Sequence, residues 1–173
     1  MTTRPITFAI TLLALAFPAA AVSQTTVKSA EVMRLQEWVG QWAQTGKMRD
    51  DPAKPFKAIA GAETCKWAAS GYAVMCEEKN SGAGGGWSGV YIISYDAAGK
   101  QYHVHGTEAP GNNMHAVGQV DGAKWTWFTD TAPDGSMARY IFEPAGKSGR
   151  TMKVSVGSGD AWASIVEILY TRR

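Results

Sequence analysis

Turn signals recur at short intervals from Gly40 onward, and this spacing is the strongest constraint on the fold. Clusters of Gly, Pro, Asn, Asp and Ser separate short runs rich in β-branched and aromatic residues. These clusters lie at 50–55, 80–86, 96–99, 109–113, 121–122, 133–135, 144–149 and 157–160. No helical period of similar length competes, so the sequence predicts about ten strands, each paired with its neighbours in sequence. Because an open meander would expose two edges, we expect an antiparallel up-and-down β-barrel.

A short helix is expected before the first strand. The amphipathic pattern that begins at Arg34 ends at Trp38 and Val39. Gly40 then allows the backbone to bend, and Trp42 opens a strand that continues to Met48. The sequence therefore predicts an N-terminal helical turn leading into a Gly-x-Trp strand.

The first 23 residues are typical of a secretory signal peptide. Arg4 stands without an acid, residues 6–17 are almost wholly apolar, and residues 18–23 are mostly small. The apolar run is shorter than the roughly 20 residues that span a bilayer. We expect cleavage after Ser23, with a cut after Ala21 as the alternative. The sequence thus predicts a signal peptide at 1–23, one barrel domain at 24–173, and a periplasmic or secreted protein.

The charge balance gives no reason to expect a nucleic-acid or membrane partner. The chain carries 17 basic and 15 acidic residues, a formal net charge of +2, with no block of like charges. No segment after Ser23 is long and apolar enough to insert in a membrane as a helix. We therefore expect neither nucleic-acid binding nor membrane insertion.

The two cysteines are predicted to form a disulfide. Cys65 and Cys76 flank a run that resembles a hairpin turning at Ser70-Gly71, which would set them directly opposite each other. Opposed strand residues have Cα atoms about 4.5–5.5 Å apart, within reach of a disulfide. A redox pair or a metal site is the alternative, but neither has the expected spacing.

Three hairpin loops predict which side chains share a face. A two-residue loop at Asp121-Gly122 would set Trp125 opposite Gly118 and Trp127 opposite Ala116. A four-residue loop at 96–99 would set Ile93 opposite Tyr102 and Tyr91 opposite Val104, and one at 132–135 would set Tyr140 opposite Trp127 and Phe142 opposite Trp125. One face then collects Trp87, Tyr91, Ile93, Tyr95, Tyr102, Val104, Trp125, Trp127, Tyr140 and Phe142. The other carries Ser88, Ser94, His103, His105, Gln119, Lys124, Thr126 and Arg139. This alternation predicts an aromatic interior.

Three histidines form the most suggestive polar cluster. His103 and His105 alternate on one strand, and a loop centred near Pro110 would set His115 opposite His105. Three imidazoles are the ligand set of a catalytic zinc site. The facing argument nevertheless places them outside, where a site would lack the outer shell that tunes a metal, so no metal ligand is predicted. No nucleophile motif or paired carboxylates stand out, so no catalytic residue is predicted either.

The last hairpin predicts a buried ion pair. A turn centred between Ser158 and Gly159 would make Glu167 face inward, opposite Arg150. The same count places these side chains inside: Met152, Val154, Val156, Ala163, Ile165 and Leu169. Because a buried carboxylate is costly unless it is paired, we expect a structural contact of Glu167 with Arg150 first and Arg172 second. A catalytic acid at Glu167 is the alternative.

The helix, the Gly40-Gln41-Trp42 motif and the meander ending at 170–173 together resemble the calycin superfamily, which includes lipocalins, fatty-acid-binding proteins and nitrobindins. More narrowly, the chain is similar to a family of secreted bacterial lipocalin-like domains. The resemblance covers essentially all of 24–173, although it rests only on the Gly-x-Trp motif and the regular succession of short strands. It implies that Trp42 plugs one barrel end under a basic residue, Arg172 or Arg173. Nitrobindins bind haem through a late histidine, and none follows His115 here, so no cofactor is expected.

The resemblance implies a barrel that holds a small hydrophobic or amphipathic ligand, and the aromatic face independently favours one. The residues expected to line the site are Trp87, Tyr91, Tyr102, Trp125, Trp127 and Tyr140. A structural or interaction barrel with a filled core is the first alternative. A metal-dependent enzyme using His103, His105 and His115 is the second. A pocket among the aromatic residues would separate a ligand-binding barrel from a filled one.

Overall fold

The structure is a computed structural model that describes residues 27–82 and 86–173, and in it ten antiparallel strands form a closed barrel. A short helix α1 (Ala30–Arg34) and a 3-10 turn (Leu35–Glu37) precede the strands. The strands are β1 (Gly40–Met48), β2 (Lys57–Ala68), β3 (Ala73–Gly82), β4 (Ser88–Asp96), β5 (Gln101–Glu108), β6 (Asn112–Asp121), β7 (Lys124–Thr129), β8 (Met137–Ala145), β9 (Gly149–Ser158) and β10 (Ala161–Arg172). The predicted signal peptide, 1–23, lies outside the described residues, as do residues 83–85 of the turn predicted at 80–86.

Each strand pairs with its neighbours in sequence, and β1 also pairs with β10 to close the barrel. Trp42 lies opposite Glu63 on one side and Arg172 on the other. The predicted up-and-down barrel of about ten strands is therefore confirmed. Closure leaves no strand edge of the described barrel unpaired, which is the physical reason for this topology.

The helical segment packs across one end of the barrel. The Ser29 side chain caps α1 by accepting from the Val32 backbone N–H at 3.3 Å. Below the helix, the Tyr102 hydroxyl donates to the Glu31 carbonyl at 3.1 Å, and the Trp125 indole N–H donates to the Glu37 carboxylate at 2.8 Å. Buried apolar side chains on the segment and these bonds to the strands close that end.

The Gly-x-Trp motif brings Arg172 close to Gly40 and to the Trp42 ring. Gly40 has φ +147°, and a Cβ there would lie 3.4 Å from the guanidinium carbon of Arg172. That carbon lies 4.8 Å from the centre of the Trp42 ring, and the Arg172 Nη2 donates to the Val39 carbonyl at 2.9 Å. Trp42 is buried and donates its indole N–H to the Trp38 carbonyl at 3.0 Å. Arg172 thus covers a tryptophan that fills the barrel end.

Two hairpin predictions that concern the interior of the barrel are confirmed. Cys65 lies opposite Cys76, and the two form a disulfide. Trp125 lies opposite Phe142 and Trp127 opposite Tyr140, as the loop near 132–135 predicted. Both results fix inward-facing positions on four strands.

Two other hairpins differ from the prediction by two residues. Ile93 pairs with Val104, where Tyr102 was expected, and Gly118 pairs with Trp127, where Trp125 was expected. Asp96 remains paired, with Gln101, and its carboxylate accepts from the backbone N–H groups of the loop at 3.0 Å. A shift of two residues preserves the alternation of side chains, so the predicted aromatic face is still the inner face.

The prediction for the last hairpin is wrong along its whole length. Its first part is off by two residues, since Ala163 pairs with Val156 where Val154 was expected, and this error leaves the faces unchanged. The pairing of β9 with β10 shifts by one residue between Ser164 and Val166, which is a β-bulge or irregularity. One extra residue reverses the alternation of side chains, so Val166, Ile168 and Tyr170 are buried, whereas Leu169 is 42% exposed. Glu167 therefore lies outside, where Lys47 pairs with it at 3.0 Å and lowers the pKa of its carboxyl. Neither the contact with Arg150 nor a catalytic acid at Glu167 survives.

Candidate functional site

A cavity of about 210 Å³ lies inside the barrel. Its walls are mostly aromatic and aliphatic side chains, with Trp38 below the helical segment and Met48, Trp87 and Met114 toward the opposite end. The lining is completed by Glu78, Tyr91, Ile93, Val104, Glu108, Ala116, Trp127, Tyr140, Phe142, Met152, Val154, Ile165, Val166 and Tyr170. The barrel interior is therefore a pocket as well as a packed core.

Four of the six predicted ligand-binding residues line this cavity: Trp87, Tyr91, Trp127 and Tyr140. Tyr102 and Trp125 do not line it. Their rings pack against each other, 4.7 Å apart between centroids, and Trp38 packs on Trp125 at 5.5 Å. The sequence prediction placed all six on one face correctly, but it did not foresee that the helical segment inserts Trp38 between Trp125 and the open part of the barrel.

A buried ion pair lies beside the cavity. The Arg150 guanidinium donates to the Glu63 carboxylate, and the Tyr91 hydroxyl donates to the other oxygen of the same carboxylate. Glu63 is only 1% exposed. Burial raises the pKa of the Glu63 carboxyl, although Arg150 and Tyr91 both favour its charged form. Arg150, predicted to face inward, does so with a different partner.

Aromatic rings surround the Arg150 guanidinium. Its central carbon lies 4.3 Å from the centre of the Trp38 ring, 4.4 Å from that of Trp42 and 4.7 Å from that of Tyr170. A cation held against ring faces in this way is stabilised by the ring quadrupoles and by its ion pair. Arg150 consequently joins the barrel end plugged by Trp42 to the polar cluster inside.

A second carboxyl, that of Glu78, faces the cavity itself. It accepts hydrogen bonds from the Gln44 side-chain amide at 3.2 Å and from the Asn80 amide at 2.6 Å. Burial raises the pKa of Glu78 to about 7, and the neighbouring Glu63 contributes to the rise. A third wall carboxyl belongs to Glu108, whose pKa is also raised by burial.

Sequence reasoning missed these carboxyls, although a signal for them was present. Glu63 is two residues before Cys65, and Glu78 is two residues after Cys76. Because both cysteines face inward and side chains alternate along a strand, both glutamates must face inward too. Glu63 and Glu78 are also directly opposite each other across β2 and β3. The disulfide prediction, followed along both strands, would therefore have indicated a carboxyl pair inside the barrel.

The three histidines occupy the outer face of β5 and β6. His105 lies opposite His115, as the loop near Pro110 predicted. Val104 and Ala116, their neighbours in sequence, line the cavity from the same two strands. The histidines are therefore separated from the cavity by the sheet itself and belong to a different surface.

The arrangement suits the recognition of a small amphipathic molecule. Aromatic walls enclose an apolar body, and Glu78 and Glu108 offer carboxyl oxygens to a polar group. The charged side chains that line the cavity in the described part of the chain are these two acids. Among the described residues, no helix has the length and apolar character needed to cross a membrane.

Comparison with known proteins supports the fold and identifies the family. An S-type phycobiliprotein lyase from Guillardia theta has a similar structure, with a TM-score of 0.55 and 11% sequence identity over 84% of this chain and 94% of the lyase chain. At this identity the likeness is one of fold. No curated protein matches the sequence. Residues 28–172 match the model of the DUF1579 family, which is described as a protein of unknown function. The chain therefore belongs to the DUF1579 family.

Proposed function

We propose that this protein binds a compact amphipathic molecule inside the barrel, with an apolar, preferably aromatic body and a cationic group at Glu78. The observation that carries the proposal is the cavity itself, in which a carboxyl with a raised pKa lies among aromatic walls. A filled core would have left no such space. The proposal keeps the small hydrophobic or amphipathic ligand predicted from the sequence and adds its polar group.

The size of the cavity limits the ligand. A volume of about 210 Å³ is below the range of about 300–1,000 Å³ that is usual for drug-sized ligands. A molecule with one ring and a short side chain fits this space better than a long lipid. Trp87, Trp127 and Tyr140 supply flat surfaces on which such a ring would pack.

The charges favour a cation over an anion. Arg150 is already paired with Glu63. Glu78 accepts from two side-chain amides, and within the described part of the chain no cationic side chain pairs with Glu78 or Glu108. A bound ammonium group would stabilise the charged form of Glu78, and an anion would be repelled by it. Binding of a cation should therefore strengthen as the pH rises through about 7, where Glu78 ionises in the free protein.

The test compares two ligands of the same shape and opposite charge, phenethylamine and 3-phenylpropionate, at pH 6 and pH 8. Because Trp87 and Trp127 line the cavity, tryptophan fluorescence should report saturable one-to-one binding. We expect the amine to bind at least about tenfold more tightly than the acid at pH 8, a difference of about 1.4 kcal/mol. The preference should shrink at pH 6.

Glu78→Gln should remove the charge preference, and Glu77→Gln is the matched control. Glu77 is the preceding residue of β3 and is exposed on the outer face, so its substitution should leave binding unchanged. Equal affinity of the amine for wild type and Glu78→Gln, or no saturable binding of either compound, would refute the proposal. Native mass spectrometry of protein from its own compartment would then reveal any co-purified ligand.

We also propose that the protein is exported to the periplasm or the exterior, as are the bacterial lipocalin-like domains that it resembles. The disulfide between Cys65 and Cys76 and the character of residues 1–23 support this. Intact-mass measurement of the protein from its native source should show a mature chain that begins after Ser23, or after Ala21. A chain that retains residues 1–21 in the cytoplasm would contradict export.

A further inference from the structure

Three imidazoles meet on the outer face of the barrel, on the opposite side of the sheet from the cavity. His103 and His105 project from β5, and His115 projects from β6 opposite His105. One ring nitrogen from each lies within 4.8 Å of the others. The rings are stacked nearly parallel, with centroids of His105 and His115 4.5 Å apart.

The spacing of two of these nitrogens already matches a metal site. His103 Nδ1 lies 3.3 Å from His115 Nε2. Two imidazole nitrogens bound to one zinc at about 2.0–2.1 Å in tetrahedral geometry are separated by about 3.3–3.4 Å. His105 lies on an exposed strand position, so its side chain can rotate to supply the third nitrogen without disturbing the core.

The carboxylate of Asp130 contacts one histidine of the cluster, His115. Both carboxylate oxygens of Asp130 lie 3.0 Å from His115 Nδ1. A carboxylate on one ring nitrogen holds the proton there and leaves Nε2 unprotonated and correctly aimed, as in carboxylate–histidine–zinc arrangements. His115 Nε2, the ring nitrogen on the other side from Asp130, is the atom that faces His103. The contact with Asp130 is therefore a second, independent feature that points to a metal.

The surroundings of the cluster are less open than the sequence implied. His103 and His115 are half-buried, and the His115 side chain is 31% exposed. Val117 lies opposite His103 and Ile92 lies opposite His105, so apolar side chains flank the imidazoles on the sheet. The sequence argument discounted a metal because an outer site would lack supporting contacts. Asp130, which follows β7, supplies that contact.

We propose that His103, His105 and His115 bind a divalent transition-metal ion such as zinc, with Asp130 positioning His115 and the fourth coordination position open to water or an anion. Three neutral imidazoles favour zinc and copper over magnesium and calcium, which prefer oxygen ligands. The site does not depend on the ligand in the cavity, since the two lie on opposite sides of the sheet.

The test is a zinc titration of the purified chain by calorimetry, with any purification tag free of histidine. The chain contains three histidines in all, so zinc that binds to imidazole with a stoichiometry of one must bind at this cluster. We expect one zinc per chain with a dissociation constant at or below about 1 μM, and no competition from magnesium or calcium. The visible spectrum of the cobalt-loaded protein should show four-coordinate geometry.

Variants separate a three-histidine site from adventitious binding. His105→Ala should weaken zinc binding by at least about 100-fold while leaving the circular dichroism spectrum unchanged, because His105 is exposed. Asp130→Asn should weaken it by about 10- to 100-fold. Gln119→Ala, an exposed substitution on the outer face of β6, is the control and should have no effect. No stoichiometric binding, or binding that survives His105→Ala, would overturn the proposal.

Discussion

Arg150 and Glu63 form an ion pair across the interior of the barrel, from β9 to β2. These two strands are not neighbours, because β1 and β10 lie between them. A charge in this position is costly unless its partner and hydrogen bonds are in place. The pair therefore fixes how two distant parts of the barrel face each other, with the Tyr91 hydroxyl as a further donor to the same carboxylate.

Arg150→Met is expected to destabilise the fold by about 3–5 kcal/mol, because Glu63 would then be a buried carboxyl without its cation. The double variant Glu63→Gln with Arg150→Met should recover most of that loss, since neither charge remains. Urea denaturation at pH 7 measures both. Equal destabilisation in the single and double variants would show that the packing of the Arg150 stem, and not the charge pair, is what matters.

Glu78→Gln should stabilise the protein at neutral and alkaline pH. Burial raises the folded-state pKa of Glu78 to about 7 from its ordinary value of 4.5, so the folded state holds this proton more tightly than the unfolded state. The wild-type protein therefore loses stability from this group as the pH rises between about 4.5 and 7. The amide side chain that replaces Glu78 in the variant does not titrate, so the variant has no such loss. The difference in unfolding free energy between variant and wild type should grow by up to about 3 kcal/mol across that window and then level off. Glu77→Gln should show no such growth.

Reduction of the disulfide should lower the melting temperature without changing the fold. The bridge spans a sequence separation of 11 residues and joins directly opposed positions of β2 and β3. Closing a loop of this size stabilises by roughly 3 kcal/mol in the chain-entropy account. Cys65→Ala with Cys76→Ala should show the same loss by thermal denaturation with unchanged circular dichroism. Titration of unreduced, denatured protein should find no free thiol, and two reactive thiols would contradict the bridge.

Gly118→Val should destabilise the barrel by about 1–3 kcal/mol or more. A Cβ at Gly118 would collide with the buried Trp127 indole, three of whose ring atoms would lie within 2.8 Å of it. Gln119→Val is the matched control, because Gln119 is the next residue of β6 and is exposed on the outer face. Its effect on the melting temperature should be small. A similar effect of both substitutions would mean that Trp127 can be displaced.

The architecture was predictable because turn chemistry and alternation both act locally. The turns between 50 and 160 separate strands that pair with their neighbours, so counting them was enough to give a closed barrel. The registers of two hairpins, and of the first part of the last hairpin, were wrong by two residues. An error of two residues leaves the inner and outer faces of a strand unchanged. The aromatic interior was therefore predicted correctly from partly incorrect pairings.

The bulge was not predictable in the same way. Nothing in the residues around Ser164 signals that β10 carries an extra residue relative to β9, and that residue reversed the predicted side for Glu167 and Leu169. Two of the predicted ligand-binding residues do not line the cavity, and the reason is a different one. Trp125 and Tyr102 face inward as predicted, but only the placement of Trp38 decides that they lie beneath the helical segment and not at the cavity.

The pairing of Trp42 with Arg172 also sets the order in which the molecule is able to fold. The seam between β1 and β10 joins residues at opposite ends of the described chain, and its register runs from Trp42 with Arg172 to Met48 with Val166. Contacts of such high sequence separation form slowly, because a long loop must close before any of them gains free energy. During synthesis, the edge of β1 that pairs with β10 stays uncovered until β10 has been made. Until then it presents an open template, so a nascent or truncated chain should be the aggregation-prone form of this protein.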